Sequence, residues 1–300
     1  MDLNDLINRI GIKPKEKNEP LNTYIENSQN RAKLETLLSE FLRITGDKSA
    51  PIFGGLWSDE QAEDYYNYLD KNINNFDFDL ADVAQLTGNA HLYKIIGSDH
   101  KENSKFGLFL STLINKNIKR GEKIELTTVI RINFLFYKLE NAEAYVKKAG
   151  NWLGSDAKNS KIYAEEAGNY TGYNIQNCEL YVKETGNRLG AGAENSKIYA
   201  EEAGVEAGAF INGCELHIKK ADEELGRDAK NSKIYAGEAG YGTGYNMKNS
   251  ELFIYKLNGN LADSCFEGNN EIYLGEESYK KFIQNYPKYI NKVKLWEKTT

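Results

Sequence analysis

The side chains best suited to acid–base, nucleophilic or metal chemistry are few in this chain. Its 300 residues include three His and three Cys, whereas a structural zinc or iron–sulfur centre needs about four such ligands brought together. His91, His100 and His217 lie far apart, and no Ser/His/Asp or Cys/His grouping typical of a nucleophilic site is visible. The sequence therefore predicts no catalytic residue, no metal site and no cofactor.

The first half contains several carboxylates close together in sequence, but their spacing is that of solvated helix faces rather than of metal ligands. The residues concerned are Glu60, Glu63, Asp64, Asp77, Asp79 and Asp82. The segment PIFGGLW (51–57) contains a glycine pair, yet it lacks the Lys-Ser/Thr that completes a phosphate-binding loop. Neither feature predicts a site.

A third group of side chains is suited to recognition rather than to reaction. Aromatic residues recur every 18 residues and form an aromatic stripe: Tyr145, Tyr163, Tyr181, Tyr199, His217, Tyr235 and Phe253. Stacked rings stabilise neighbouring strands, and long aromatic strips are also typical of docking faces for helices or partner proteins. Both interpretations stay open. His217 is interpreted as an aromatic substitute, not as a base or ligand.

These residues belong to an 18-residue repeat that runs from Leu153 to Asn260 without a gap, and alternate copies match best, giving a 36-residue unit. A slipped copy follows, in which Asn270–Leu274 lies 20 residues after Ser250–Ile254. An α-helical repeat and a β-solenoid both fit the length of the repeat. Two glycines per repeat would cost roughly 1 kcal/mol each inside a helix, and residues 179–183 alternate polar and apolar side chains. We predict a β-solenoid with a strong strand at residues such as 160–165 and a weaker one at 173–177.

Columns of equivalent residues support stacking, because neighbouring coils lie about 4.8 Å apart. Gly columns beginning at Gly150 and Gly154, and an Asn column beginning at Asn141, predict corners with positive φ. Two outward columns alternate in charge, which favours a role in register. The first charged row is Glu143, Lys161, Glu179, Lys197, Glu215, Lys233 and Glu251; the second is Lys147, Glu165, Lys183, Glu201 and Lys219.

Segments 167–182 (AGNYTGYNIQNCELYV) and 185–200 (TGNRLGAGAENSKIYA) resemble the GXGXG repeat. That repeat forms a right-handed β-helix in the C-terminal domain of the large chain of glutamate synthase and in one of the polypeptides of formylmethanofuran dehydrogenase. Residues 106–126 are similar to the lead-in of standalone archaeal members. The motif positions are Gly168, Gly172, Ile175, Asn177, Leu180 and Val182, and again Gly240, Gly244, Met247, Asn249, Leu252 and Ile254.

The resemblance implies a right-handed β-helix, while the period of 18 residues comes from the repeat itself. Together with the helical pattern of the first half, we expect an α+β protein with a right-handed single-stranded β-helix of about seven to eight coils. The resemblance also implies a scaffold that holds other modules and carries no chemistry. We expect a helical domain over 1–120, the GXGXG-like β-helix over 121–275 and a C-terminal helix or cap over 276–300. Helices are predicted over 31–44, 58–73, 79–86 and 104–116, and one over 279–296 is expected to cap the β-helix or to lie along the stripe.

Composition narrows the partners and the compartment. A net charge of −6 argues against nucleic acid and anionic membranes as partners. The N-terminus lacks an apolar segment of signal-peptide length, and no apolar run approaches the roughly 20 residues of a membrane span. Three Cys without a pairing pattern predict no disulfide framework. The expected location is the cytoplasm.

The functional expectation is a non-catalytic scaffold or interaction protein that binds protein partners or self-associates. The alternative is an enzyme or enzyme subunit, part of an oxidoreductase complex or carbohydrate-related, with a small-molecule site where the helical domain meets the β-helix. That site would lie near Trp57, His91 and Trp152. Alternating charges favour the first interpretation, because glycoside chemistry requires two clustered carboxylates with different pKa values.

Overall fold

The computed structural model describes residues 28–51, 59–74, 77–88 and 99–296. Within these residues, four helices precede a ten-stranded, all-parallel, open sheet whose strands follow one another in chain order. This is the predicted α+β class, and the sheet is solenoid-like because each strand pairs with the next strand in the chain. Trp57, His91 and the predicted helix start at Ser58 lie outside the described residues.

The four helices lie where the apolar periodicity predicts them. They are α1 (Ser28–Thr45), α2 (Asp59–Asn72), α3 (Leu80–Thr87) and α4 (His100–Asn117). Leu37, Phe41 and Ile44 of α1 are buried, as expected for one apolar helix face. Asp79 caps α3 by accepting hydrogen bonds from the backbone N–H groups of Ala81 and Asp82, so this carboxylate is structural.

The strands repeat with the period of the sequence. They are β1 (Lys123–Leu126), β2 (Glu143–Lys148), β3 (Lys161–Glu166), β4 (Glu179–Glu184), β5 (Lys197–Ala203), β6 (Glu215–Ala221), β7 (Lys233–Ala239), β8 (Glu251–Leu257), β9 (Glu271–Leu274) and β10 (Val293–Leu295). From β2 to β8 each residue lies opposite the residue 18 positions further on, as Tyr163 does opposite Tyr181. Between β8 and β9 the offset is 20, and Phe253 pairs with Tyr273.

The inward columns form one continuous core. Leu153 and Ala157 of one repeat, and Thr171 and Ile175 of the next, are all completely buried. A large residue in one repeat therefore lies against a small one in its neighbour, as predicted. This exchange lets successive layers pack at the density of a protein interior.

The segment between strands turns more sharply than the sequence predicts. Trp152, Gly154, Asp156 and Asn159 all have positive φ, between 49° and 67°, and the same positions turn in later repeats. Residues with left-handed backbone conformation at this spacing prevent the segment from forming a continuous extended strand. The predicted weaker strand is therefore reduced to isolated parallel bridges, one of them between Lys158 and Gln176.

The Gly150 column differs from prediction, because its glycines do not have positive φ. They are required by close approach: a Cβ on Gly186 would lie 2.1 Å from Oδ1 of Asn169. That oxygen accepts a hydrogen bond from the backbone N–H of Asn187 at 2.9 Å. In the same way, Oδ1 of Asn133 accepts a hydrogen bond from the backbone N–H of Asn151, and Oδ1 of Asn151 accepts one from the backbone N–H of Asn169. These glycines therefore leave room for a ladder of asparagine amides.

Helix α4 covers the first repeat. Ser111 Oγ donates to the carbonyl of Phe134 at 2.7 Å, and Asn115 Nδ2 donates to the carbonyl of Tyr137 at 2.9 Å. The backbones approach so closely that a Cβ on Gly107 would lie 1.6 Å from the carbonyl oxygen of Asn133. The side chains of α4 thus satisfy carbonyl groups that a terminal repeat leaves unpaired.

The other end is built differently from the single helix predicted over 279–296. Helix α5 (Glu276–Asn285) is followed by a 3-10 turn (Pro287–Lys292) and then by β10. Tyr286 has φ −131° and ψ +60° at the end of α5, and Pro287, which lacks a backbone N–H, opens the turn. Helix α5 packs against β8 and β10, so the chain returns to the sheet and adds a strand.

We predict that Gly186→Ala destabilises the protein by about 1–2 kcal/mol, because the new methyl displaces the Asn169 amide from its hydrogen bond. Urea unfolding measures the change. In the double variant Gly186→Ala/Asn169→Ala the displaced atom is absent, and the combined cost should be about 1 kcal/mol less than the sum of the single costs. Strict additivity would contradict the proposed contact.

Candidate functional site, an aromatic ladder

The structure brings all seven residues of the aromatic stripe together. Each is the third residue of its strand, between two buried residues, and is itself half-buried. Neighbouring ring centroids lie 4.5 to 5.0 Å apart, and the ring planes differ by 4° to 14°. The period-two alternation of each strand turns the rings outward, and the exact 18-residue register stacks them.

An eighth ring, which lies in the slipped copy and is not part of the predicted stripe, extends the row. Tyr273 of β9 stacks on Phe253 at 4.5 Å and 7°, and we call the eight residues the aromatic ladder. The 20-residue offset before β9 moves Tyr273 out of the 18-residue column, although the sequence EIYL resembles the other strands. Trp296 then packs edge-on against Phe253 at 5.6 Å, so the C-terminal segment contacts only this end of the ladder within the described residues.

Charged side chains border the ladder on both sides. In the first charged row, Lys161 Nζ lies 3.0 Å from Glu179 and Lys233 Nζ lies 2.7 Å from Glu251. In the second row, Glu165 lies between Lys147 at 4.0 Å and Lys183 at 3.9 Å. The predicted alternation of charge is thus present in the strand register. Each exposed pair contributes a few tenths of a kcal/mol.

Glutamates of the first charged row also hold rings of the ladder. Tyr181 Oη donates to Glu179 at 2.9 Å, and His217 Nε2 lies 2.7 Å from Oε1 of Glu215. The Tyr145 hydroxyl donates to Glu143 in the same way. The Tyr273 hydroxyl donates to Glu271 of β9, which lies beyond the end of the row. His217 stacks between Tyr199 and Tyr235, which places it in the ladder as another planar ring.

The ladder phenols are held in their neutral form. Burial, aided by nearby glutamates, raises the pKa of Tyr163 and of Tyr199 to about 12. The pKa of Tyr181 is also raised, by burial and by its hydrogen bond to Glu179. A neutral phenol donates hydrogen bonds but does not accept a proton as a base near neutral pH. The ladder is therefore suited to binding rather than to acid–base catalysis.

Stacking restricts what the ladder can bind. The two faces of each internal ring are covered by its neighbours at 4.5 to 5.0 Å, so only ring edges face outward. A sugar or nucleobase that binds by stacking needs a free ring face. The geometry favours an extended surface that contacts edges and the charged rows together.

At the proposed junction site, one of the three residues is described. Trp152 is sandwiched between Phe134 (5.6 Å) and Tyr170 (4.2 Å), with ring planes within 5° of parallel. Arg188 continues this second stack 5.3 Å from the Tyr170 ring. This second stack was not predicted, although its members are 18 residues apart. Both faces of the Trp152 ring are therefore occupied by packing.

The cysteines belong to a column of buried hydrogen-bonding residues. Cys178 N–H donates to Ser196 Oγ at 3.0 Å, and Ser160 N–H donates to Cys178 Sγ at 3.4 Å. Cys178, Cys214 and Cys265 are free and buried. Burial raises the pKa of Cys178 to about 11 and that of Cys265 to about 12. Protonated, enclosed thiols are poor nucleophiles.

Other possible sites are limited in the part of the chain that the structure describes. No group of three His, Cys, Asp or Glu side chains is placed to hold a metal ion there, and none of its helices is long and apolar enough to cross a bilayer. A cleft of about 470 Å³ lies beside the last repeats, lined by residues such as Asp228, Lys230 and Lys248. Its mixed charges select no single ligand.

Comparison with known proteins gives no family model, curated protein or solved structure that matches this chain. The GXGXG resemblance therefore stays a prediction. The aromatic ladder extends without interruption from Tyr145 to Tyr273.

We predict that the three cysteines do not react with a thiol reagent such as Ellman's reagent at pH 8 in the folded protein, because they are buried and protonated. In denaturant all three should react. The absorbance change at 412 nm measures the number of thiols. Rapid labelling of Cys178 in the folded protein would show that the repeats open locally.

We predict that stability falls between pH 10 and 12. The folded state holds the pKa of Tyr163 and Tyr199 at about 12, above the ordinary value of 10. The neutral phenols therefore stabilise the fold fully below pH 10, and this contribution is lost as the pH rises through 12. Urea unfolding across this range should show a smaller decline for Tyr163→Phe/Tyr199→Phe.

The control for this measurement is Tyr241→Phe, which removes an exposed phenol outside the ladder. It should keep the wild-type decline. An equal decline in the ladder variant and the wild type would show that these two phenols do not couple to folding.

Proposed function

We propose that this protein is a non-catalytic scaffold or protein-interaction protein, built on a GXGXG-type right-handed β-helix of about seven to eight coils. We propose the aromatic ladder and its two charged rows as the interaction face. The observation that carries this proposal is the continuous stack from Tyr145 to Tyr273, with half-buried rings whose edges face outward. A cytoplasmic location and protein rather than nucleic-acid partners are part of the proposal.

The ladder has the properties of a protein-binding surface. Aromatic residues are enriched among the side chains that dominate binding energy at interfaces. Each internal ring is held between two others, as Tyr181 is between Tyr163 and Tyr199, so little side-chain entropy remains to be lost on binding. Charged rows at the margins supply a polar rim, which is typical of interfaces.

The alternative, an enzyme with a site at the junction, has less support. Trp152 is packed on both ring faces, and Trp57 and His91 lie outside the described residues. His100 is exposed at the first turn of α4. The carboxylates of the first charged row lie beside lysines of opposite charge, whereas glycoside hydrolysis requires two carboxyl groups on either side of one bond.

We predict that the double variant Tyr163→Ser/Tyr199→Ser loses its protein partners, because two gaps open in the row of ring edges. The measurement is affinity capture from the native host with covalent cross-linking, followed by mass spectrometry of the captured proteins. Circular dichroism and thermal unfolding establish that the variant is folded.

Two variants serve as controls. Tyr163→Phe/Tyr199→Phe keeps both rings and should keep the partners. Tyr241→Ser removes an exposed ring (61% exposed) outside the ladder and should also keep them. Capture of the same partners by the folded serine variant would overturn the ladder as the interaction face.

A further inference from the structure

The charges of the ladder face are arranged within each strand as well as between strands. The residue two positions before the ring and the residue two positions after it have opposite charges in five consecutive strands. The pairs are Glu143 and Lys147, Lys161 and Glu165, Glu179 and Lys183, Lys197 and Glu201, and Glu215 and Lys219. Alternation of charge along each row is enough to favour the correct strand register. The opposite charges on the two sides of each ring, within one strand, are not explained by register.

We infer that the partner of the ladder face is a second copy of this chain, bound face to face about a two-fold axis parallel to the direction in which the strands stack. The inference rests on the proposed function and names its partner. Such an axis places every strand opposite the same strand of the other copy and reverses its direction. The residue before the ring then faces the residue after the ring.

The face is self-complementary under this operation. Glu179 of one copy faces Lys183 of the other, and by symmetry Lys183 faces Glu179. The five strands β2 to β6 together give ten contacts between opposite charges, while ring edges meet at the centre. A two-fold interface requires this property, since the same surface must complement itself.

Charge also fixes the alignment of the two copies along the stack. A shift by one strand would place Glu179 opposite Glu201 of the second copy, and Lys197 opposite Lys219. Like charges in contact across an interface repel each other and weaken binding. The alternating rows therefore oppose the shifted arrangement and favour full overlap of the two faces.

The shape and size of the face fit a stable dimer. Neighbouring rings from Tyr145 to Tyr199 differ by only 4° or 5° in plane, so this part of the sheet is nearly flat and two copies can meet along its length. Eight stacked rings span roughly 34 Å and a six-residue strand roughly 20 Å. The resulting area of about 680 Å² per copy includes the end where Trp296 packs against Phe253, and it approaches the roughly 800 Å² per partner of a standard interface.

The pairs of opposite charge are absent from β7 and β8, at one end of the face. In β7 the residue opposite Lys233 would be Gly237, and in β8 the residue opposite Glu251 would be Tyr255, which is 56% exposed. A tyrosine hydroxyl can donate a hydrogen bond to a carboxylate. The charged contacts are thus concentrated in β2 to β6, and β8 adds a polar contact of a different kind.

The test is sedimentation velocity of the full chain over a range of concentrations. Wild-type protein should sediment with twice the mass of the 34.0 kDa chain. Glu179→Lys places two pairs of lysines in contact across the axis and should raise the dimer dissociation constant about tenfold or more. The double variant Glu179→Lys/Lys183→Glu exchanges the two charges within one strand and should restore dimerisation.

The control variant is Glu194→Lys, the same substitution at an exposed residue of the turn segment, between Gln176 and Asn212 in its column. It should dimerise as the wild type does. If the double variant dimerises more weakly than Glu179→Lys alone, the proposed arrangement is wrong. In that arrangement the first charged row of one copy faces the second charged row of the other, so the two exchanged charges again face charges of opposite sign.

Sedimentation and capture of proteins together distinguish a wrong dimer from a wrong interaction function. A wild-type monomer whose Tyr163→Ser/Tyr199→Ser variant loses a captured protein overturns the dimer and leaves an interaction face for a different partner. A wild-type monomer whose serine variant captures the same proteins overturns both. A dimer that is unaffected by Glu179→Lys places the interface elsewhere and also overturns the inference.

Discussion

Backbone hydrogen bonds between successive repeats determine how the side chains of residues 121–296 stack on one another. Gly172 N–H donates to the carbonyl of Leu153 at 2.8 Å, and Glu179 N–H donates to that of Ser160 at 3.0 Å; the same pattern recurs repeat after repeat. Because these bonds join residues one repeat apart, each side chain lies above its equivalent at the strand spacing. Stacked rings, asparagine amides and alternating charges are therefore consequences of one main-chain register.

Each column then meets a different physical requirement of that register. Inward columns exchange large and small side chains, as Leu153 and Thr171 do, so that volume is conserved between repeats. Asn169 and its equivalents supply acceptors for N–H groups of the turn. Only the outward columns can contact a partner, and the aromatic ladder is one of these columns.

Prediction from sequence succeeded where the period alone determines the contact. The stack of Tyr163 on Tyr181 and the pairing of Lys161 with Glu179 need only the 18-residue offset and the alternation of a strand. It failed where a contact depends on atoms from another column. Gly186 serves close approach rather than positive φ because Asn169 lies against it. The 20-residue slip before β9 is confirmed, but the predicted stripe followed only the 18-residue column and so left out Tyr273.

Alternation of charge between neighbouring strands constrains how this chain can change in length during evolution. Deleting or duplicating one 18-residue repeat would join two strands whose first residues carry the same sign, as Glu143 and Glu179 do, since equal signs recur every second strand. Adding or removing two repeats together preserves both the charge order and the exchange of large and small core residues. Tandem duplication in steps of 36 residues is thus the route along which such an array can grow.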